Sequence, residues 1–154
     1  MQPHLDFVSR MPPRSADLGP FRLAPLAPDV AEEGFAVVTQ SAPVLQGFFG
    51  NDWPLGLTLA DNRIDMAWHE RDFTLCRSFA WVLRDPAGAY LGCAYVLPEP
   101  GVRGRGQIYL WIADFPDRLE KLIIFQPLLA NWLQPLLPEG GRYDRHVNDR
   151  ARPV

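Results

Sequence analysis

Asp65 and His69 are the residues whose types and spacing best suit proton transfer. They lie four positions apart, about one helical turn, so the carboxylate can orient the imidazole and stabilise its charged form. An imidazole that titrates near neutral pH can take the proton of an ammonium group. The alternative is a surface ion pair on an amphipathic helix, beside Glu70, Arg71 and Asp72. The sequence leaves both interpretations open.

A second candidate is the loop Arg103-Gly104-Arg105-Gly106, in which arginines alternate with glycines. Glycine lets the backbone approach an anion closely, and arginine neutralises it, so the loop looks suited to a phosphate. A glycine-arginine loop is weak evidence by itself, because such loops are common hairpin connections.

A third group of candidates comes from two successive apolar runs and one loop. Cys93 and Tyr95 share a face of one run, and Tyr109 and Trp111 share a face of the next, because alternate strand residues point the same way. A tyrosine there can protonate a leaving thiolate, while cross-strand aromatic packing is the alternative. Trp53, in a breaker-rich loop, either lines a pocket or fills the core beneath the loop.

The elements that must position these residues follow from the hydrophobic pattern. The predicted order is strand 21–26, a helix capped by Asp29, a helix from Thr58, strands 78–85, 90–97 and 107–113, a helical segment 114–137 and a possible strand 143–147. Pro127 predicts a kink in that last helix, or an end and a restart. This order predicts an α+β fold, a mostly antiparallel sheet with helices on both faces.

The helix from Thr58 carries candidate residues on one of two faces. Ile64 and Trp68 share one face, whereas the other face carries Asn62, Asp65, His69 and Phe73.

The 154 residues, 47% of them apolar, are enough for one domain with its own core. Prolines crowd the start of the chain, so we predict an irregular arm over residues 1–20, a single domain over 21–147 and a tail over 148–154. Cys76 and Cys93 form no zinc-binding pattern and are expected to be buried thiols of a reducing compartment.

The net charge of −3 argues against nucleic-acid and membrane-surface partners, which usually require a basic excess. No apolar run approaches the roughly 20 residues that cross a bilayer, and the first residues lack the apolar core of a secretory signal. The expected location is therefore the cytoplasm, with no membrane partner.

This order of elements, with the residues that fill it, resembles the GNAT family of acetyl-CoA-dependent N-acetyltransferases, in a short bacterial branch. The resemblance covers about residues 21 to 137, and its carrying segments are FRLAPLAPD, NDWPLGLTLADNRIDMAWHERDF, SFAWVLRDPAGAYLGCAYVLPEP, IYLWI and LLANWL. It implies a shortened GNAT fold and transfer of an acetyl or related acyl group from CoA to a small amine by direct attack. The alternative function is a catalytically silent ligand-binding or dimerisation module.

The resemblance also implies where each ligand binds. Acetyl-CoA is expected at the C-terminal end of strand 107–113 and at the amides that open the next helix, which assigns Trp111, Ile112, Ala113 and Arg118 to the cofactor. The glycine-arginine loop would then lie at the opposite end of that strand, with its arginines solvated. The second helix borders the acceptor cleft, so His69, Asp65 and Tyr109 are the expected catalytic residues and Trp53 and Tyr95 the expected substrate-binding residues.

The predicted cofactor end departs from the family pattern. The glycine-rich pyrophosphate loop is absent, since no glycine lies between Gly106 and Gly140. Asp114 is expected to cap the helix, and Asp117 in its first turn would repel a phosphate. The fold's last helix and hairpin are not expected in this sequence, which would leave the apolar run Leu119–Leu137 uncovered. We therefore predict a homodimer.

Overall fold

The computed structural model describes residues 2–153, and the strands of this part of the chain form one sheet in the order β1-β2-β3-β4-β5-β6. The strands are β1 Ala16–Asp17, β2 Arg22–Pro25, β3 Phe79–Arg84, β4 Tyr90–Pro98, β5 Arg105–Ile112 and β6 Arg142–Val147. Neighbours are antiparallel as far as β5, and β6 pairs with β5 in parallel. A parallel step needs a crossover connection, which a helix supplies here.

The helices are α1 Ala31–Gln40, α2 Ala42–Leu45, α3 Leu59–Thr74 and α4 Arg118–Leu133, with short 3-10 helices at Leu5–Phe7, Pro28–Val30 and Gln134–Leu136. Side chains of α1 and α2, with Met66 of α3, pack on one face of the sheet, and those of α4 pack on the other, where Phe73 at the end of α3 joins them. This arrangement confirms the predicted α+β fold with helices on both faces. α4 is the crossover between β5 and β6.

Strand β3 shows why the sheet needs helices on both faces. Phe79, Trp81 and Leu83 belong to the cluster that includes α4, whereas Ala80 and Val82 belong to the cluster that includes α1 and α3. All five are at most 2% exposed. A strand with a continuous apolar run is stable only when both of its faces are covered.

The N-terminal arm is part of the fold, so the prediction that it holds no folded element is wrong. Phe7 is 1% exposed and its ring lies 4.7 Å from that of Phe79. The Pro13 carbonyl accepts a hydrogen bond of 3.0 Å from the Trp81 indole, and β1 pairs with β2. Tertiary contacts order this proline-rich segment, which the local pattern of prolines does not reveal.

The glycine-arginine loop connects β4 to β5, at the end of β5 remote from α4. Its Gly104 N–H donates to the Asp6 carboxylate at 2.9 and 3.0 Å, and the same carboxylate accepts from the Tyr143 hydroxyl at 2.7 Å. Arg103 and Arg105 are exposed. The loop is therefore a hairpin connection fastened by the N-terminal arm, and its backbone donor is already in use.

One local prediction about the helices needs correction. Asp29 does not cap α1, because it lies inside the 3-10 turn Pro28–Val30, and α1 begins at Ala31 with no side-chain cap. Of the two alternatives for Pro127, an end with a restart is excluded, because α4 continues through it to Leu133. By contrast, Thr58 caps α3 as expected, since its hydroxyl accepts from the Asp61 N–H at 3.1 Å.

Candidate active site

A cavity of about 310 Å³ opens between α3, the loop after α2 and the face of β4 and β5. We call it the aromatic cavity. It is lined by Leu26, Val38, Phe49, Asn51, Trp53, Asn62, Asp65, Met66, His69, Tyr90, Cys93, Tyr95, Leu97 and Trp111.

Four aromatic rings form one continuous wall of the cavity. The centroid of Phe49 lies 4.9 Å from that of Trp53 and 5.2 Å from that of Tyr95, and Trp53 lies 6.3 Å from Trp111. The loop fixes Trp53 through its backbone, because its N–H donates to the Asn51 side chain at 2.9 Å. Trp53 therefore lines the cavity and also packs against the core cluster beneath the loop.

The floor of the cavity is a buried polar network on β4 and β5. The Trp111 indole donates to the Tyr95 hydroxyl at 3.0 Å, and the Tyr90 hydroxyl lies 3.0 Å from Cys93 Sγ. Burial raises the pKa of Cys93 to about 12 and raises the pKa values of Tyr90 and Tyr95 well above their usual range. The thiol and both phenols are therefore neutral at neutral pH, and Cys93 is no thiolate nucleophile.

Helix α3 turns the face that carries Asn62, Met66 and Phe73 toward the sheet. Asn62 is buried and donates to the Ala31 carbonyl at 2.9 Å, which fastens α3 to the start of α1, and Met66 is buried beside it. Ile64 and Trp68 point away from the core and are 55% and 61% exposed. The polar side chains between these buried positions are consequently held at the mouth of the cavity.

Asp65 and His69 both line the cavity, but within residues 2–153 no hydrogen bond or ion pair joins them. The His69 ring instead lies 5.5 Å from the Tyr95 ring. The surface ion-pair alternative does not describe them either, since Arg71 bonds Asp72 at 3.2 Å. Among the described residues neither group has a hydrogen-bond or ion-pair partner, and both line the cavity.

The local environment shifts the pKa values of His69 and Asp65 in the directions that favour the neutral form of each side chain. Burial lowers the pKa of His69, and the charge of Asp72 opposes this in part. Desolvation raises the pKa of Asp65, and the nearby charge of Asp61 raises it further. At neutral pH the imidazole is thus uncharged, with a lone pair available to accept a proton.

Two further tyrosines differ from the prediction, because Tyr109 does not line the cavity and Tyr90 does. Tyr109 lies outside it, with its ring 4.5 Å from that of His146 and 4.9 Å from that of Phe49. Tyr90 was missed because a β-bulge breaks the alternation of β4, where Leu83 pairs with Gly92 but Arg84 pairs with Tyr90. The bulge turns Tyr90 to the same face as Cys93.

Other lining residues, Phe49 and Met66 among them, were also missed. A phenylalanine pair beside Gly50 in the loop was the sequence signal for Phe49, and the spacing of four between Asn62 and Met66 was the signal for Met66.

At the end of β5 where the cofactor was predicted to bind, the backbone groups already have hydrogen-bond partners. The Ile112 N–H donates to the Asn148 side chain at 2.9 Å, and that side chain donates back to the Ile112 carbonyl at 2.8 Å. An asparagine side chain has the donor and acceptor of a peptide group, so it extends the β5–β6 ladder beyond its last pair, Leu110 with Val147.

The C-terminal tail covers the start of α4 as well. Arg118 is 4% exposed and donates to the carbonyls of Asn148 and Arg150, the second at 2.7 Å. Asp114 was predicted to cap α4, and this prediction is wrong. Its carboxylate instead accepts a hydrogen bond from Arg152 Nε at 2.9 Å.

The N-cap position of α4 is Asp117, whose carboxylate bonds Lys121 rather than the helix backbone. We call Ile112, Asp114 and Arg118, with the tail residues Asn148, Arg150 and Arg152, the tail-bound end.

Neither a bilayer span nor a metal cluster accompanies this site in the part of the chain described. None of the helices between residues 2 and 153 has both the length and the apolarity to span a bilayer. The same residues contain no group of three or more His, Cys, Asp and Glu side chains that could bind a metal.

No protein-family model matches the sequence, and no curated protein sequence matches it. Solved structures do match. A microcin C7 self-immunity acetyltransferase, solved with acetyl-CoA and AMP, aligns with a TM-score of 0.61 at 12% identity, over 81% of this chain and 69% of that one.

A GNAT acetyltransferase from Brucella melitensis aligns at 0.58 and 17% identity, over 86% and 59% of the two chains. A ribosomal-protein-S5-alanine acetyltransferase from Vibrio fischeri aligns at 0.55 and 9% identity, over 79% and 81%. At these identities the likeness establishes architecture. The chain has the fold of the GNAT acetyltransferases.

Proposed function

We propose that this protein is an N-acetyltransferase, with acetyl-CoA as acyl donor and a small amine as acceptor. The observation that carries the proposal is His69, an uncharged imidazole without a hydrogen-bond partner, at the mouth of an aromatic cavity on a GNAT fold. A concave apolar site with a few convergent polar groups is typical of small-molecule binding.

In the proposed reaction the amine nitrogen forms a bond to the thioester carbonyl carbon, and the bond from that carbon to sulfur breaks. The proton lost by the amine passes to His69, whose lowered pKa keeps it ready to accept a proton at neutral pH. Asp65, at the same mouth, supplies a negative charge that attracts the ammonium form of the acceptor. The departing thiolate takes a proton, for which Tyr109 stays the predicted donor.

Transfer in one step is favoured over a covalent acyl-enzyme. Cys93 is the thiol that lines the cavity, and its pKa of about 12 leaves it protonated. Its Sγ is also engaged with the Tyr90 hydroxyl. Cys93 therefore offers no thiolate to attack the thioester, and the acceptor amine is the nucleophile in this proposal.

The donor is proposed to bind along Ile112 and Ala113 and at the amides that open α4. In the present conformation these residues do not fit it, because Asn148 holds both hydrogen-bonding groups of Ile112 and the tail carbonyls hold Arg118. Donor binding then requires the tail from Asn148 onward to release the strand. A release of this kind exposes the Ile112 backbone and the amides that open α4.

We also propose a cytoplasmic homodimer. Leu119, Ile123 and Ile124 of α4 are 43%, 75% and 55% exposed and form an apolar patch on the outer face of the helix. A second copy of the chain would cover it. Light scattering at micromolar concentration should give twice the mass of one chain, and Ile123→Glu should return the mass of a monomer.

Two measurements test the enzymatic proposal. Calorimetry with acetyl-CoA and with CoA should detect binding, and a thiol-reactive dye should detect CoA released when an amine is added. The His69→Gln variant should still bind acetyl-CoA but should no longer release CoA when an amine is added. Binding without release for any amine in a broad panel would support the silent binding module instead, and no binding of either nucleotide would overturn the proposal.

A further inference from the structure

We propose that the aromatic cavity selects an acceptor with an apolar, ring-bearing body, one positive charge and no anionic group, as in an arylalkylamine. The inference rests on the proposed function in that it takes this cavity as the acceptor site. It goes further by excluding amino acids, phosphorylated amines and amino sugars.

The charges around the cavity carry the first step. Asp65 is the one formally charged side chain among the lining residues, and no lysine or arginine lines the cavity. His69 adds no positive charge at neutral pH, because burial lowers its pKa. A carboxylate or phosphate in this cavity would lose its hydration without gaining a cation, whereas an ammonium group meets Asp65.

The walls carry the second step. Phe49, Trp53, Tyr95 and Trp111 form a continuous aromatic surface, and Met66 adds a polarisable side chain. Aromatic faces bind apolar rings and attract cations within about 6 Å of a ring centroid. A volume of about 310 Å³ lies at the lower end of the range for small-molecule sites, which favours a compact ligand.

The polar groups of the cavity carry the third step, because most already have partners. Asn62 bonds Ala31, Asn51 bonds Trp53, Tyr95 bonds Trp111 and Tyr90 bonds Cys93. A polyhydroxylated amine would bury several hydroxyl groups against aromatic rings, and each hydroxyl left without a hydrogen-bond partner would weaken binding. The cavity therefore discriminates against sugars by unpaired hydroxyls and against amino acids by unpaired charge.

The test is a set of matched ligands bound to the full chain without acyl donor. 2-Phenylethylamine, phenylalanine, 2-phenylethanol and glucosamine differ by a carboxylate, by the ammonium group or by the ring. Binding is measured by calorimetry and by fluorescence of Trp53 and Trp111. We expect 2-phenylethylamine to bind at least about tenfold more tightly than each of the others, a difference of about 1.4 kcal/mol.

Two variants of α3 separate the charge from the fold. Asp65→Asn should weaken 2-phenylethylamine about tenfold and leave 2-phenylethanol unchanged, because only the ammonium loses its counter-charge. Glu70→Gln removes the same charge from the same helix outside the cavity and should change neither. Equal binding of phenylalanine or glucosamine, or no effect of Asp65→Asn, would overturn the inference.

The outcomes also distinguish this inference from the proposed function. If 2-phenylethylamine binds as expected but neither it nor any other amine is acetylated, the binding selectivity stands and the enzymatic proposal fails. If acetyl transfer occurs only to amines that carry a carboxylate or several hydroxyls, the enzymatic proposal stands and the inference fails. If no amine binds, the inference is overturned.

Discussion

The aromatic cavity and the tail-bound end meet on the same strand, since Trp111 lines the first and Ile112 belongs to the second. The two regions differ in whether their polar groups already have hydrogen-bond partners. In the described chain Asp65 and His69 face the cavity without a hydrogen bond, whereas Ile112 and Arg118 are fully engaged with the tail. A ligand can therefore use the cavity as it stands, but at the other end it must replace bonds that already exist.

The size of that difference follows from ordinary hydrogen-bond energies. The two bonds between Ile112 and Asn148 together contribute about 1–3 kcal/mol. The Arg152–Asp114 pair adds little, because the arginine side chain is 67% exposed. A donor that binds β5 would thus lose about tenfold or more in apparent affinity to the tail, which every change that frees the tail should restore.

The largest expected effect is on the cavity side. His69→Gln should lower kcat about 10²-fold or more while amine binding stays within about threefold, because only proton transfer is removed. The kcat should be measured at saturating acetyl-CoA, with CoA release as the readout. A kcat within about threefold of the wild type would identify another group as the base.

The acid limb of the pH profile gives a second check on His69. Because burial lowers its pKa below 6.5, the kcat of the wild type should stay level down to about pH 6.5 and fall only below it. The unfolded chain binds a proton near pH 6.5 that the folded chain resists, so wild-type stability should also decrease as the pH falls through this range. His69→Gln should lose both effects.

The next effect belongs to the tail-bound end. Asn148→Ala should strengthen acetyl-CoA binding about tenfold, since it frees both backbone groups of Ile112. The same change should lower the unfolding midpoint by about 4–8 °C, because about 2 kcal/mol of hydrogen bonding is lost. Pro153→Ala, an exposed and uncharged change in the same tail, is the control. Weaker acetyl-CoA binding in Asn148→Ala would make the tail a part of the donor site.

A smaller effect separates release of the tail from simple charge repulsion. Asp114→Asn and Asp117→Asn each remove one negative charge near the start of α4, but only Asp114 holds Arg152. We expect Asp114→Asn to strengthen acetyl-CoA binding about threefold and Asp117→Asn to have a smaller effect. At about 0.5 M salt both effects should shrink, because salt screens the exposed Arg152–Asp114 pair as well as the repulsion. Equal gains from the two changes would mean repulsion alone.

The smallest effect concerns the far end of β5. Replacing Arg103 and Arg105 together by alanine should change acetyl-CoA affinity by less than about twofold, because both side chains are exposed one strand length from the start of α4. Isothermal titration of the double variant measures this directly. A tenfold loss would place a phosphate site at this loop and contradict the comparison.

The sheet and the gathering of the cavity residues could be predicted because they depend on alternation along strands. Tyr95 and Trp111 face the same cavity, as their positions on neighbouring strands required. Tyr90 could not be predicted in the same way, because a single bulge reversed its face. On α3 the spacing was right, but apolar residues lie on both faces, since Met66 and Phe73 are buried whereas Ile64 and Trp68 are exposed, so hydrophobicity alone could not show which face is buried.

The chain termini could not be predicted from local pattern. Residues of the arm and the tail carry no periodic apolar face, and their places are set by a few long-range contacts. Phe7 enters the core beside Phe79, and Asn148 bonds Ile112, 36 positions away. Contacts of this kind leave no trace in a window of neighbouring residues, because they depend on where distant segments meet.

The Asp6 carboxylate has a consequence for the order in which the molecule folds. It bonds Gly104, 98 positions away, and Tyr143, 137 positions away. Both bonds close most of the chain into a loop, so they can form only after the β4–β5 hairpin and β6 are in place. Docking of the arm is thus a late event, and loss of these bonds should accelerate unfolding while leaving the folding rate nearly unchanged. We therefore expect the first residues of the chain to slow unfolding of the sheet without taking part in its assembly.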